Sequence, residues 1–311
     1  MRPAVLDIAS FVCEGSLARA TISGLIIRHG SPQWWTSPDI WVAEPGTGGA
    51  TVVASPVAGQ TYDVWVRVHN STGAPISTTE LPWLLEVVWA IPTGGPIPLS
   101  ALPPDDVLNS TAIAQVAASA SVPIQCASEW TPSFENGGHE CLIAWTYASN
   151  IAYPLASDPV LDGSAGPGDN WSIAQHNLGV LMVGPAHGHR FQYSFQICNG
   201  GREEQSFVVA ARQALLSEIE PFLPGVPGGR TVLTRPGKVE RLGIVASADA
   251  GAAELERAPS EVTVKIAPMS CRRFMLSGVL PEGNALIHIT QSRDQRVVGG
   301  LSVLAMAEEK K

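Results

Sequence analysis

His187-Gly188-His189 could supply two imidazoles to one metal ion, because residues two apart in extended backbone point to the same side. No cysteine or carboxylate lies near them in sequence to complete a ligand set. The pair is therefore expected to be ordinary linker residues, and no metal is assigned. Asp158, Asp162 and Asp169 share a loop with Gly163, Gly166 and Gly168, an oxygen-rich composition that suits Ca²⁺ with its roughly six to eight ligands. Their spacing matches no calcium-binding repeat, so a solvated loop is expected. His139-Glu140-Cys141 places a histidine two residues from a thiol, ~6.6 Å away along a strand, which makes a nucleophile–base pair depend on side-chain reach. Gly-x-Ser-x-Gly, phosphate-loop and dinucleotide patterns are all missing. The acidic pairs Asp105-Asp106 and Glu203-Glu204 fall in loops, with nothing tying them to a cleft. These residues point to a non-catalytic chain without a cofactor.

The five cysteines are Cys13, Cys126, Cys141, Cys198 and Cys271, too scattered for a disulfide scaffold and lacking the close pairs of a zinc ribbon. Cys126 and Cys141 flank one turn-like stretch and could face each other across neighbouring strands as a disulfide. Two buried thiols is the other reading.

Seven of the nine tryptophans lie between Trp34 and Trp130. Indoles can fill a core, stack on sugars or anchor a protein interface. Trp65 is out of phase with Val64 and Val66, so burying those valines puts it on the outer face of its strand. It is the leading interface candidate, followed by Trp34, Trp35 and Trp83.

The elements that must position these residues are mostly strands. Tyr62, Val64, Val66 and Val68 alternate with more polar positions, and Phe191, Tyr193, Phe195 and Ile197 do the same. Runs such as Leu84–Ala90, Cys141–Trp145, Val262–Ile266, Ala285–Thr290 and Val297–Ala305 read as further strands. Ala210–Ile219, before Pro221, is the best helix candidate, and Thr231–Leu233 reads as a strand. With 30 glycines and 25 prolines spread along 311 residues, the chain has turn signals throughout. The pattern predicts an all-β protein with an N-terminal arm (1–30) and two tandem β-sandwich, immunoglobulin-like domains (31–184 and 188–306). Val180–Val183 is expected to close the first sandwich, and Gly184–His189 to form the linker.

Charged residues are 15% of the chain, below the roughly 25% usual for soluble proteins, while hydrophobic residues are 45%. Apolar surface covered by a neighbouring subunit would account for that balance. A net charge of −9 disfavours nucleic acid, which needs a basic surface. No apolar run is long enough for a membrane helix, so membrane insertion is not expected. Asp7 and Glu14 interrupt the stretch that would have to be the apolar part of a Sec signal peptide.

Ser37-Pro38-Asp39-Ile40-Trp41-Val42, Val64 to Asn70 followed by Gly73-Ala74-Pro75, and Val88-Trp89-Ala90 occur in order. Trp130-Thr131-Pro132, His139 to Leu142, and Asn170 with Ile173 to Asn177 follow. Together they resemble a bacterial immunoglobulin-like, cell-adhesion-related β-sandwich module spanning about residues 37–183. The resemblance implies a fold that accompanies other modules, and an extracellular, cell-surface or particle-associated setting, but no chemistry. The expected function is that of a structural or interaction protein, a subunit or accessory of a larger assembly. Its partners would be other protein subunits or copies of itself. The alternative is a carbohydrate- or ligand-binding module using exposed tryptophans.

Overall fold

Alternation builds the first pair of sheets. The computed structural model describes residues 24–30, 33, 35–76, 82–90, 108, 111–133, 140–148, 173–185, 188–226, 229–246, 254 and 257–308. Eight strands come first: β1 (Leu25–Ile26), β2 (Ile40–Ala43), β3 (Asp63–Asn70), β4 (Trp83–Ala90), β5 (Thr111–Ile113), β6 (Ser121–Gln125), β7 (Cys141–Ala148) and β8 (Ile173–His176). In β3 the valines 64, 66 and 68 are buried, while Trp65, Arg67 and His69 face the other side. β1 and β2 share one edge of β3, and β6 takes the other. The second sheet runs β5-β4-β7-β8. Leu85, Val87, Leu142 and Ala144 meet the β3 valines in one core. Residues 24–28, expected in an arm, belong instead to this sandwich. Leu25 and Ile27 are fully buried in its core, and Leu25 pairs with Asn70.

The remaining strands are β9 (Leu178–Val183), β10 (Arg190–Asn199), β11 (Gln205–Ala214), β12 (Glu240–Val245), β13 (Glu261–Ile266), β14 (Ser270–Val279), β15 (Asn284–Arg293) and β16 (Arg296–Ala307). They form a three-stranded sheet, β10-β14-β12, and a five-stranded sheet, β13-β11-β15-β16-β9. The two sheets enclose a core that includes Phe195 and Phe274, stacked with ring centroids 5.6 Å apart. Complete burial of such a side chain stabilises by about 1.5–3 kcal/mol. The fold class is thus all-β and of sandwich type.

β15 and β16 read as near-continuous apolar runs because both of their faces are covered. Ile287, Ile289, Leu301 and Val303 face the core between the sheets, whereas Leu286, Leu304 and Met306 pack against two 3₁₀ segments, Leu216–Gly225 and Gly229–Thr234. These segments correct two expectations. The proposed helix at 210–219 is strand as far as Ala214, since its residues pair with β15, and Thr231–Leu233 is 3₁₀ rather than strand. A further correction concerns Val180–Val183. Those residues lie in β9, which pairs in parallel with β16 of the five-stranded sheet and does not close the first sandwich. Asn177 alone separates β8 in one sheet from β9 in another. Among the described residues, no helix is long and apolar enough to cross a membrane.

Candidate functional site

The outer face of the first sheet carries an aromatic and cationic ladder. Trp41 on β2 lies directly opposite Trp65 on β3, and their rings stack at 6.1 Å with a 17° interplanar angle. Arg67, two residues further on the same face, holds its guanidinium carbon 5.2 Å from the Trp41 ring centroid, within cation–π range. The turn after β2 folds over this ladder, with Glu44 N–H donating to the Thr51 carbonyl. Trp41 Nε1 donates to the Gly49 carbonyl at 3.1 Å. Gly49 adopts φ +79°, and a Cβ there would meet the Trp65 ring at 3.0 Å, so only glycine lets the turn lie this close. Trp65 is consequently half-buried, and its Nε1 is buried without a hydrogen-bond partner among the described residues.

Beneath the ladder sits Asp39, which is fully buried. Its carboxylate accepts from Arg28 Nε at 2.8 Å, Arg28 Nη2 at 2.7 Å and the Arg28 backbone N–H at 3.0 Å. His69 Nε2 lies 2.7 Å from it, and Arg67 Nη1 is 4.0 Å away. The hydrogen bond to Asp39 holds the Arg28 guanidinium above its usual pKa, against the opposing pull of burial. Buried carboxylates persist where several donors satisfy them in this way.

The ladder borders a cleft of about 250 Å³. Trp41 and Arg67 form one wall, His176 and Leu178 line the chain passing from β8 to β9, and Pro221 and Phe222 come from the 3₁₀ segment. His176 Nδ1 donates to the Ser37 carbonyl at 3.1 Å, and its ring meets Phe222 edge-on at 5.5 Å. Burial lowers the His176 pKa and outweighs that hydrogen bond, so the imidazole is neutral at pH 7. Among the described residues, no carboxylate lines the cleft.

A second polar cluster lies inside the chain. Trp35 Nε1 donates to Ser302 Oγ (2.9 Å), Ser302 Oγ lies 2.8 Å from His288 Nδ1, and His288 Nε2 lies 3.0 Å from Glu218 Oε2. The order serine–histidine–carboxylate matches that of a nucleophile, its base and an orienting acid. Here Ser302 is 1% exposed and its oxygen already accepts from an indole, so it offers no open nucleophile. The cluster ties the segment before β2 to β15 and β16. Asn177 adds to it by bonding the Trp35, Gly300 and Ser302 backbones.

The structure redistributes the residues singled out from sequence. Cys126 and Cys141 are free buried thiols, not a disulfide, and burial pushes both up to about 12. Cys141 Sγ accepts from Gln175 Nε2 at 3.0 Å; a thiol held so far from ionisation is a poor nucleophile. The disulfide is Cys198–Cys271, between directly opposite residues of β10 and β14. Trp35, an interface candidate, is instead buried within the chain. Trp83 is half-buried against the first core, and its ring would lie 3.1 Å from a Cβ at Gly24. His189 occupies a turn at φ +59°. Trp34, His139, His187 and the acidic loop with Asp158, Asp162 and Asp169 lie outside the described residues. Among the described residues, no group of three histidines, cysteines or carboxylates could hold a metal. The sequence reading missed Arg67, His176 and Phe222 because they come from three separated segments; only the outward phase of Arg67 with Trp65 signalled any of them.

No family model matches the chain, and no curated protein matches it. Among solved structures, Escherichia coli alpha-2-macroglobulin activated by porcine elastase aligns over 86% of this chain with 10% identity and a TM-score of 0.24. The chain spans 22% of that protein's length. The CupB6 tip adhesin of Pseudomonas aeruginosa aligns over 93% of this chain and 100% of its own, with 11% identity and a TM-score of 0.21. The CFA/I adhesin CfaE of enterotoxigenic E. coli aligns over 93% and 94%, with 9% identity and a TM-score of 0.20. At scores this low the likenesses establish neither a family nor a function.

Proposed function

We propose that the protein is a non-catalytic interaction protein, a subunit or accessory of a surface, filament or particle assembly outside the reducing cytosol. The observation that carries this reading is the outward Arg67–Trp41–Trp65 ladder. Tryptophan and arginine are the residue types most enriched where proteins meet. The Cys198–Cys271 disulfide supports the compartment, because such bonds persist in oxidising surroundings. The partners would be other subunits or further copies of this chain. Size-exclusion chromatography with light scattering, over a hundredfold range of concentration, tests self-association. A monomer throughout, unchanged by Trp41→Ala, counts against it.

The second reading, a ligand-binding module, is favoured by the cleft beside the ladder. Its aromatic walls and few polar groups are the ordinary make-up of a ligand site.

A further inference from the structure

The geometry points to a specific occupant for the cleft between Trp41 and Phe222: a small hydroxylated carboxylate, a sugar acid of about monosaccharide size. This rests on the ligand-binding reading, and its failure leaves the assembly reading intact.

Size sets the first limit. A volume near 250 Å³ lies just below the usual range of ligand pockets, about 300 to 1,000 Å³. That volume suits one compact ring.

Charge sets the second. The whole chain carries 28 acidic against 19 basic residues, yet among the described residues the cleft is lined by one arginine, one histidine and no carboxylate. Arg67 donates no side-chain hydrogen bond among the described residues; its approach to Asp39 stops at 4.0 Å. Asp39 is already occupied by Arg28 and His69. The Arg67 fork is therefore held in place by Trp41 with its donors open, and a planar two-oxygen anion is its natural complement.

The third limit comes from His176. Its Nδ1 proton is committed to the Ser37 carbonyl, so Nε2 carries the lone pair and has no partner among the described residues. That nitrogen accepts a hydrogen bond and repels a second carboxylate, so a hydroxyl is what it selects. The walls of Trp41, Leu178, Pro221 and Phe222 supply apolar surface for the C–H faces of a sugar ring. Carboxylate at Arg67, hydroxyl at His176 and ring between the walls make a three-point site.

The test titrates the full chain with sodium glucuronate, glucose and sodium benzoate, read by calorimetry and tryptophan fluorescence. Glucose lacks the carboxylate and benzoate lacks the hydroxyls. Glucuronate is expected to bind at least tenfold more tightly than either. Arg67→Gln is expected to weaken it at least tenfold, and Phe222→Ala, which removes the opposite wall without touching the first sheet, severalfold. Each variant is first shown to keep the parent's thermal transition. The proposal is overturned if glucuronate fails to bind, if glucose or benzoate binds as well, or if both variants bind like the parent.

Discussion

Trp35 and Ser302, 267 residues apart in sequence, are joined by a buried 2.9 Å hydrogen bond from indole to hydroxyl. The indole also lies edge-on to His288 at 5.9 Å and against Gly300, where a Cβ would fall 2.5 Å from the ring. One side chain thus fastens the segment preceding β2 to the five-stranded sheet.

Trp35→Ala removes a buried indole and leaves Ser302 without its donor. It is expected to lower unfolding stability by about 3–5 kcal/mol, measured by urea denaturation. Gly300→Ala should cost about 1–3 kcal/mol by forcing the ring aside. If both variants melt with the parent, Trp35 is not the fastening.

The Cys198–Cys271 bond spans 73 residues. Replacing both cysteines with alanine is expected to cost about 2–4 kcal/mol. Non-reducing peptide mapping should recover Cys198 linked to Cys271, and should find Cys126 and Cys141 unlinked and resistant to alkylation until the chain is unfolded. A Cys126–Cys141 linked peptide would contradict the structure.

Burial lowers the pKa of both His176 and His288, in the latter against the hydrogen bond that its Nε2 donates to Glu218. In the unfolded chain each titrates near its ordinary value of about 6.5. Between the depressed folded pKa and that value the unfolded state binds more protons, so stability falls as pH falls. The contribution is complete above about 6.5 and shrinks below it. The urea midpoint is expected to hold from pH 8 to pH 7 and to drop from pH 6.5 to pH 5, with a shallower drop in His288→Gln. Equal slopes in parent and variant would remove His288 from the explanation.

Asp39→Asn keeps the shape of the side chain but withdraws the charge that holds Arg28 and His69. The hydrogen bonds lost are of the charge-assisted kind, and a cost of about 1.5–3 kcal/mol is expected. The partly exposed arginine regains water, which keeps the figure at this level. Chemical denaturation of the variant checks it.

The strands were legible where one face is wet. Val64, Val66 and Val68 alternate with outward Trp65, Arg67 and His69, so their period of two could be read directly. β9 was recognised as a strand but assigned to the wrong sheet, since its parallel partner lies at the far end of the chain and local pattern carries no pairing information. The 3₁₀ segments escaped because Leu216–Gly225 contains two prolines in an otherwise apolar stretch, which reads as a stop rather than as a short cap. The Cys198–Cys271 disulfide is illegible for a related reason: Cys126 and Cys141, near in sequence, leave a bond or two buried thiols open, whereas Cys198 and Cys271 meet only through the register of β10 on β14. Of the site, the outward phase of Trp65 could be read from its neighbours, but the cleft could not, because its walls come from β2, β3, β8 and a 3₁₀ turn.

The parallel pairing of Leu178–Val183 with Ser302–Ala307 also fixes an order of events during synthesis. β1 to β8 are complete once His176 has left the ribosome, so the leading sandwich can close while translation continues. β9 emerges directly behind it and must wait, without a strand partner, until Ser302–Ala307 has been made. Pairings between strands so distant along the chain form slowly. Until β16 arrives, that unpaired strand is open to sticking to another chain.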